Sequence, residues 1–87
     1  MKLYRLPLVL HQPSEDTEDK YLAEVPDLPG CRAWGDNAAE ALENLQILAA
    51  AFIESYQDRG DPLPQQVQAA VSEAVEPRML SEILVAV

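Results

Sequence analysis

Three carboxylates, Asp27, Asp36 and Glu40, stand close together in the sequence. Clustered carboxylates are what a two-metal phosphodiester-cleaving centre uses to hold its cations. Each also has a plainer role. Asp36 and Glu40 flank Asn37, where acids favour the positive end of a helix dipole and complete its cap. Asp27 lies in Pro26-Asp27-Leu28-Pro29-Gly30, and Asp is a turn former. The structural roles suffice, so the residues read as those of a non-enzyme with neither metal nor cofactor. Metal-dependent nuclease activity stays as the weaker alternative. His11 is the only histidine. It has no Cys or His at ligand spacing, and the sequence defines no pocket in which it could act as a general base. Cys31 is the only cysteine. It cannot form an internal disulfide, and without a basic cluster beside it the thiol reads as buried and inert.

The remaining chemistry is that of protein recognition. The net charge is −9, which repels phosphate backbones and attracts basic partners. Direct nucleic-acid binding needs a basic patch, so none is expected. Glu15, Asp16, Glu18 and Asp19 form an acidic run that could meet a basic protein face. Trp34 is either core or an interface anchor, since Trp is enriched in binding hot spots.

These residues must be positioned by a small frame. With 87 residues the chain suits one domain, 1–87. Residues 3–10 alternate with period two and read as a strand, with Pro7 at an edge or bulge. Residues 11–20 are polar and carry four acids, as an exposed hairpin loop would. Residues 21–25 read as a second strand with Tyr21, Ala23 and Val25 on one face. Pro26 to Gly30 form a stiff turn, in which Gly30 permits positive φ. Residues 31–34 make a short third strand, ended by Gly35-Asp36. The spacing then predicts a helix over 38–59, capped by Asn37 and Glu40. Its apolar stripe is Ala41, Leu42, Leu45, Leu48, Ala49, Phe52, Ile53 and Tyr56. Gly60 can close it in the left-handed region, and Pro62 and Pro64 forbid continuation. Residues 65–75 read as a short helix, stopped by Pro77. Residues 81–87 read as a final strand, apolar on both faces.

The expected fold is α+β, a two-layer sandwich in the order β-β-β-α-(short α)-β. An antiparallel sheet of three or four strands packs on one long helix. Apolar residues make up 48% of the chain, which implies either a core of small Ala and Val or a surface covered by a second copy. A homo-oligomer, dimer or tetramer, is the second possibility. No signal peptide is evident, and the longest apolar run, residues 47–53, falls far short of the roughly 20 residues that span a bilayer. A cytoplasmic protein is expected.

Residues 21–42, YLAEVPDLPGCRAWGDNAAEAL, resemble the signature of HicB-type antitoxins. That pattern runs Tyr-x-Ala-x-Val-Pro-Asp-Leu-Pro-Gly-Cys and then Gly-Asp-(Ser/Thr)-x-x-Glu-Ala. Tyr21, Ala23, Val25, Pro26, Asp27, Leu28, Pro29, Gly30, Cys31, Gly35, Asp36, Glu40 and Ala41 match it. Asn37 stands where Ser or Thr is usual and caps equally well. Gly60 with Leu63-Pro64 resembles the motif that follows the family's helix. The resemblance implies a partial RNase H-like domain. It also implies a toxin partner of HicA type, a small basic ribonuclease whose RNA-binding face the antitoxin covers. It makes Tyr21, residues 26–31, Gly35, Asp36 and Glu40 candidate partner-binding residues, to which Trp34 is added as a possible interface anchor. Many members add a C-terminal DNA-binding domain. The residues after Pro64 are too few and not basic, so operator binding is not expected of this chain. A stand-alone homo-oligomeric regulatory or ligand-binding domain without a toxin remains the alternative.

Overall fold

The structure, a computed structural model, describes residues 3–69, 71–72 and 82–87. The long helix α1 spans Ala38–Arg59, where the spacing placed it. Its N-cap is Asn37, whose Oδ1 accepts from the Glu40 N–H at 2.8 Å. Of the expected reciprocal cap this is the half that forms. Among the described residues the Glu40 carboxylate makes no return bond. At the far end Gly60 takes φ 72°. Its N–H donates to the Gln57 carbonyl at 3.1 Å, and the Asp61 N–H reaches back to the Tyr56 carbonyl at 3.0 Å. These two bonds satisfy carbonyls that the helix itself leaves open.

The strands are β1 (Leu3–Pro7), β2 (Val9–His11), β3 (Tyr21–Glu24), β4 (Arg32–Gly35), β5 (Val71–Ser72) and β6 (Glu82–Ala86). The architecture is the expected antiparallel α+β arrangement, but the strands divide into two sheets of three. One has the order β5-β1-β6 and the other β2-β3-β4. The stretch 3–10, read as one strand, breaks at Leu8. Pro7, opposite Glu82, ends the pairing with β6. It has no N–H to carry the ladder onward. After Leu8 the chain pairs with β3 instead.

The short helix predicted over 65–75 is corrected. One turn forms, α2 (Gln65–Gln68). The backbone of Val71–Ser72 then pairs with Leu3 and Tyr4. Propensity favoured the helix there, and pairing with the free side of β1 overrode it. Ala70, Ala74, Val75, Pro77 and Ser81 lie outside the described residues.

Helix α1 lies against β3, β4 and β6. Its central row, Ala41, Leu45, Ala49 and Ile53, is fully buried. Leu42, Leu48, Phe52 and Tyr56 flank it, half-buried. Beneath lie Ala23 and Ala33, paired across β3 and β4. The core here is built of small residues, as one reading of the composition expected. Gly35 is the extreme case. A Cβ on it would meet the backbone nitrogen of Ala41 and come within 2.9 Å of the Glu40 carbonyl carbon. Only glycine lets the helix start this close to the strand. Larger side chains, Tyr4, Leu6, Leu28, Val67 and Val85, fill the rest of the core.

Candidate protein-binding face

Sheet β2-β3-β4 has one face on the helix. Its other face is uncovered among the described residues. Alternation assigns Ala23, Ala33 and Gly35 to the inner face and Leu22, Glu24, Arg32 and Trp34 to the outer. The register places His11, Leu22 and Trp34 side by side across the sheet, with Val9, Glu24 and Arg32 as the next row. Trp34 is 46% exposed and Val9 40%. An exposed Trp beside Leu22 and Val9 is an apolar patch of the kind that marks interaction sites.

Glu24 sits between two basic side chains. Its Oε1 is 3.6 Å from His11 Nε2 and its Oε2 3.7 Å from Arg32 Nε. Surface pairs of this length contribute little stability.

The acidic run hangs from the end of this sheet where Trp34 lies, because it joins His11 to Tyr21. It is not a loose loop. Glu15–Thr17 forms a 3-10 turn. Thr17 is buried, and its Oγ1 accepts from the Ser14 N–H at 2.9 Å. The Asp19 N–H donates to the Ser14 carbonyl at 2.8 Å. Glu18 and Asp19 follow at φ 56° and 62°. Two consecutive non-glycine residues in the left-handed region cost on the order of 1–2 kcal/mol each. Asp36 and Glu40 are exposed at the same end. The patch thus joins apolar Trp34, Leu22 and Val9 to His11, Glu24 and Arg32, with further acidic residues at the end where Trp34 lies.

The structure separates the candidate set in two. Tyr21, Trp34, Gly35, Asp36 and Glu40 gather at this end, with Tyr21 half-buried on the inner face. Residues 26–31 form the connection at the opposite end. There the Val25 N–H donates to the Cys31 carbonyl, the Leu28 N–H to Val25 and the Cys31 N–H to Leu28, all within 3.1 Å. Gly30 takes φ 82°. Leu28 and Cys31 are core, and burial pushes the Cys31 thiol from 9.0 up to about 11. Pro26, Asp27 and Pro29 therefore shape a turn and do not join the Trp34 patch. Among the described residues, no three His, Cys, Asp or Glu side chains group so as to hold a metal ion. Of the three carboxylates first considered, Asp27 lies in the β3–β4 connection, at the opposite end of the sheet from Asp36 and Glu40. Sequence reasoning left out Val9, Leu22, Glu24 and Arg32. The alternation of β3 carried the signal, since placing Tyr21, Ala23 and Val25 inward turns Leu22 and Glu24 outward.

The model of a family described as the HicB_like antitoxin of bacterial toxin-antitoxin systems matches residues 6–86. The chain belongs to this family. The UPF0150 protein Ta0767 of Thermoplasma acidophilum is 35% identical over 52 residues, which cover 60% of this chain and 75% of that protein. The N-terminal domain of the Burkholderia pseudomallei antitoxin HicB superposes with a TM-score of 0.62 at 23% identity. That match covers 95% of this chain and 96% of the domain. The B. pseudomallei antitoxin HicB also matches, with a TM-score of 0.59 at 21% identity. It covers all of this chain, which spans 63% of that structure. At such identity the likeness to the solved structures is one of fold. In this HicB-like chain the signature residues divide between the turn that joins β3 to β4 and the seat of the helix beside Trp34. Much of the family pattern is thus accounted for by backbone geometry. No helix among the described residues is long and apolar enough to cross a membrane.

Proposed function

We propose that this chain is a non-catalytic antitoxin module that neutralises a small, basic ribonuclease of HicA type by covering its RNA-binding face. The observation that carries this reading is the outer face of β2-β3-β4, centred on Trp34 and bordered at one end by the acidic run with Asp36 and Glu40. A protein that binds RNA is basic where it binds, and a surface of net charge −9 steers such a partner in. Trp34, with Leu22 and Val9, supplies the desolvated contact that sets the lifetime of the complex. The encounter takes place in the cytoplasm, where mRNA is the toxin's substrate. Membership of the family and the match to antitoxin HicB support the role.

The test is co-expression with a small basic toxin encoded beside this protein. Wild-type protein should restore growth and bind the purified toxin, with an association rate that falls as salt rises. Absence of binding, or equal binding by Trp34→Ala, would count against the reading. A stand-alone homo-oligomer is the second reading. It is favoured by Ile47, 67% exposed on the outer side of α1. Sedimentation at micromolar concentration, with and without toxin, separates the two.

A further inference from the structure

The other sheet ends at an open edge. β6 pairs with β1 on one side, and among the described residues no strand pairs with its other side. Between that edge and α1 runs a groove of about 410 Å³. Leu8, Leu42 and Ile83 give it an apolar floor, and Glu43 and Glu82 stand along it. The Leu84 carbonyl is occupied by the side chain of Gln46, whose Nε2 donates to it.

We propose that this groove takes an extended, basic segment of a partner protein, added to β6 as a further strand. An open strand edge is a template for main-chain hydrogen bonds. An added strand would set every second side chain on the apolar floor and turn the others outward. Among the described residues two carboxylates line the groove and no basic side chain does. Glu82 is already 3.8 Å from Arg5, so Glu43 brings the charge that an incoming Lys or Arg would meet. A second copy of the chain fits poorly. It carries −9 and would bring its own Glu43 and Glu82 to the same rim. Gln46 is an exposed side chain, and its single bond to a strand carbonyl is one that an incoming N–H can replace. It acts as a placeholder on the edge. This surface is separate from the Trp34 face and does not depend on the toxin reading.

The experiment titrates full-length protein into a fluorescein-labelled peptide of alternating Val and Lys. A second peptide of the same sequence, N-methylated at alternate residues, keeps the charge but cannot pair as a strand. The first should bind, and the second should bind about tenfold or more weakly, because each lost strand bond contributes on the order of 1 kcal/mol. Glu43→Lys should weaken the first peptide by about tenfold, because reversal replaces a modest exposed attraction with a repulsion of similar size. Gln46→Ala should tighten it, and Trp34→Ala should leave it unchanged. Equal binding of the two peptides overturns the proposal, as does indifference to Glu43→Lys or loss of binding in Trp34→Ala. A dimer that persists in sedimentation while the peptide fails to bind assigns the edge to a second copy instead, and also overturns it.

Discussion

The side-chain amide of Asn44 donates to the main-chain carbonyl of Trp34 at 3.0 Å. The helix therefore holds β4 by the backbone of the very residue whose ring points away from it. Backbone and ring have separate duties, and substitution can part them. Trp34→Ala should leave the urea midpoint nearly unchanged, within about 0.5 kcal/mol, the usual range for exposed sites. Binding to a toxin partner should fall by about 2 kcal/mol or more, roughly 30-fold, as expected of a central aromatic anchor. Calorimetry on the two purified proteins checks both halves. A large stability loss with unaltered affinity would assign Trp34 to the core.

Gly35→Ala has the opposite profile. The added methyl group has no room beside the Ala41 nitrogen and Glu40 carbon. Helix and sheet must part, at a cost of about 3 kcal/mol, the upper range for forced overpacking. Urea unfolding followed by circular dichroism reads this directly. Asn37→Ala should cost about 1 kcal/mol, the typical loss of an N-cap. An equal cost for the two would mean that the helix start tolerates displacement.

Much of this frame was legible in the sequence, and for identifiable reasons. The helix had a cap at Asn37, an apolar stripe and a left-handed stop at Gly60, three independent signals that agree on 38–59. The turn at Pro26 to Gly30 was fixed by residues with few backbone options. The division into two sheets was less visible. Pro7 flagged a disturbance, but only the competing pairings of β6 and β3 decide that the chain changes sheet at Leu8. The pairing of Val71–Ser72 with β1 is long-range, and local propensity argued for helix instead. At the candidate face, composition supplied the acidic run and Trp34. Leu22 and Val9 emerged only once register placed them beside it.

Glu18 and Asp19 hold left-handed backbone conformations without being glycine. Replacing Asp19 by Gly should raise stability by about 0.5–1 kcal/mol through relief of that strain, less the entropy that glycine loses on folding. The same change removes an acidic charge and should slow association with a basic toxin, most visibly at low salt. Stopped-flow association across a salt series tests the trade. Faster association in the variant would mean that the acidic loop takes no part in the encounter.

The Cys31 thiol is raised from 9.0 to about 11 by burial. The folded state prefers the protonated thiol more than the unfolded chain does. Its contribution to stability is therefore complete below pH 9 and is lost as pH climbs towards about 11. Unfolding midpoints across that window should fall more steeply for wild type than for Cys31→Val. At pH 8 a thiol-specific reagent should label the native protein slowly and the urea-unfolded protein at once. Rapid labelling of the native protein would show the site to be open.

The sheet β5-β1-β6 joins the first described strand to the last. By contrast, β2, β3, β4 and α1 are neighbours in sequence. A ribosome emitting this chain delivers everything for the second group by residue 59, while β1 must wait for residues 82–86 before its main partner exists. Until then one edge of β1 has no partner strand, an interval in which a nascent chain is open to chaperones and proteases.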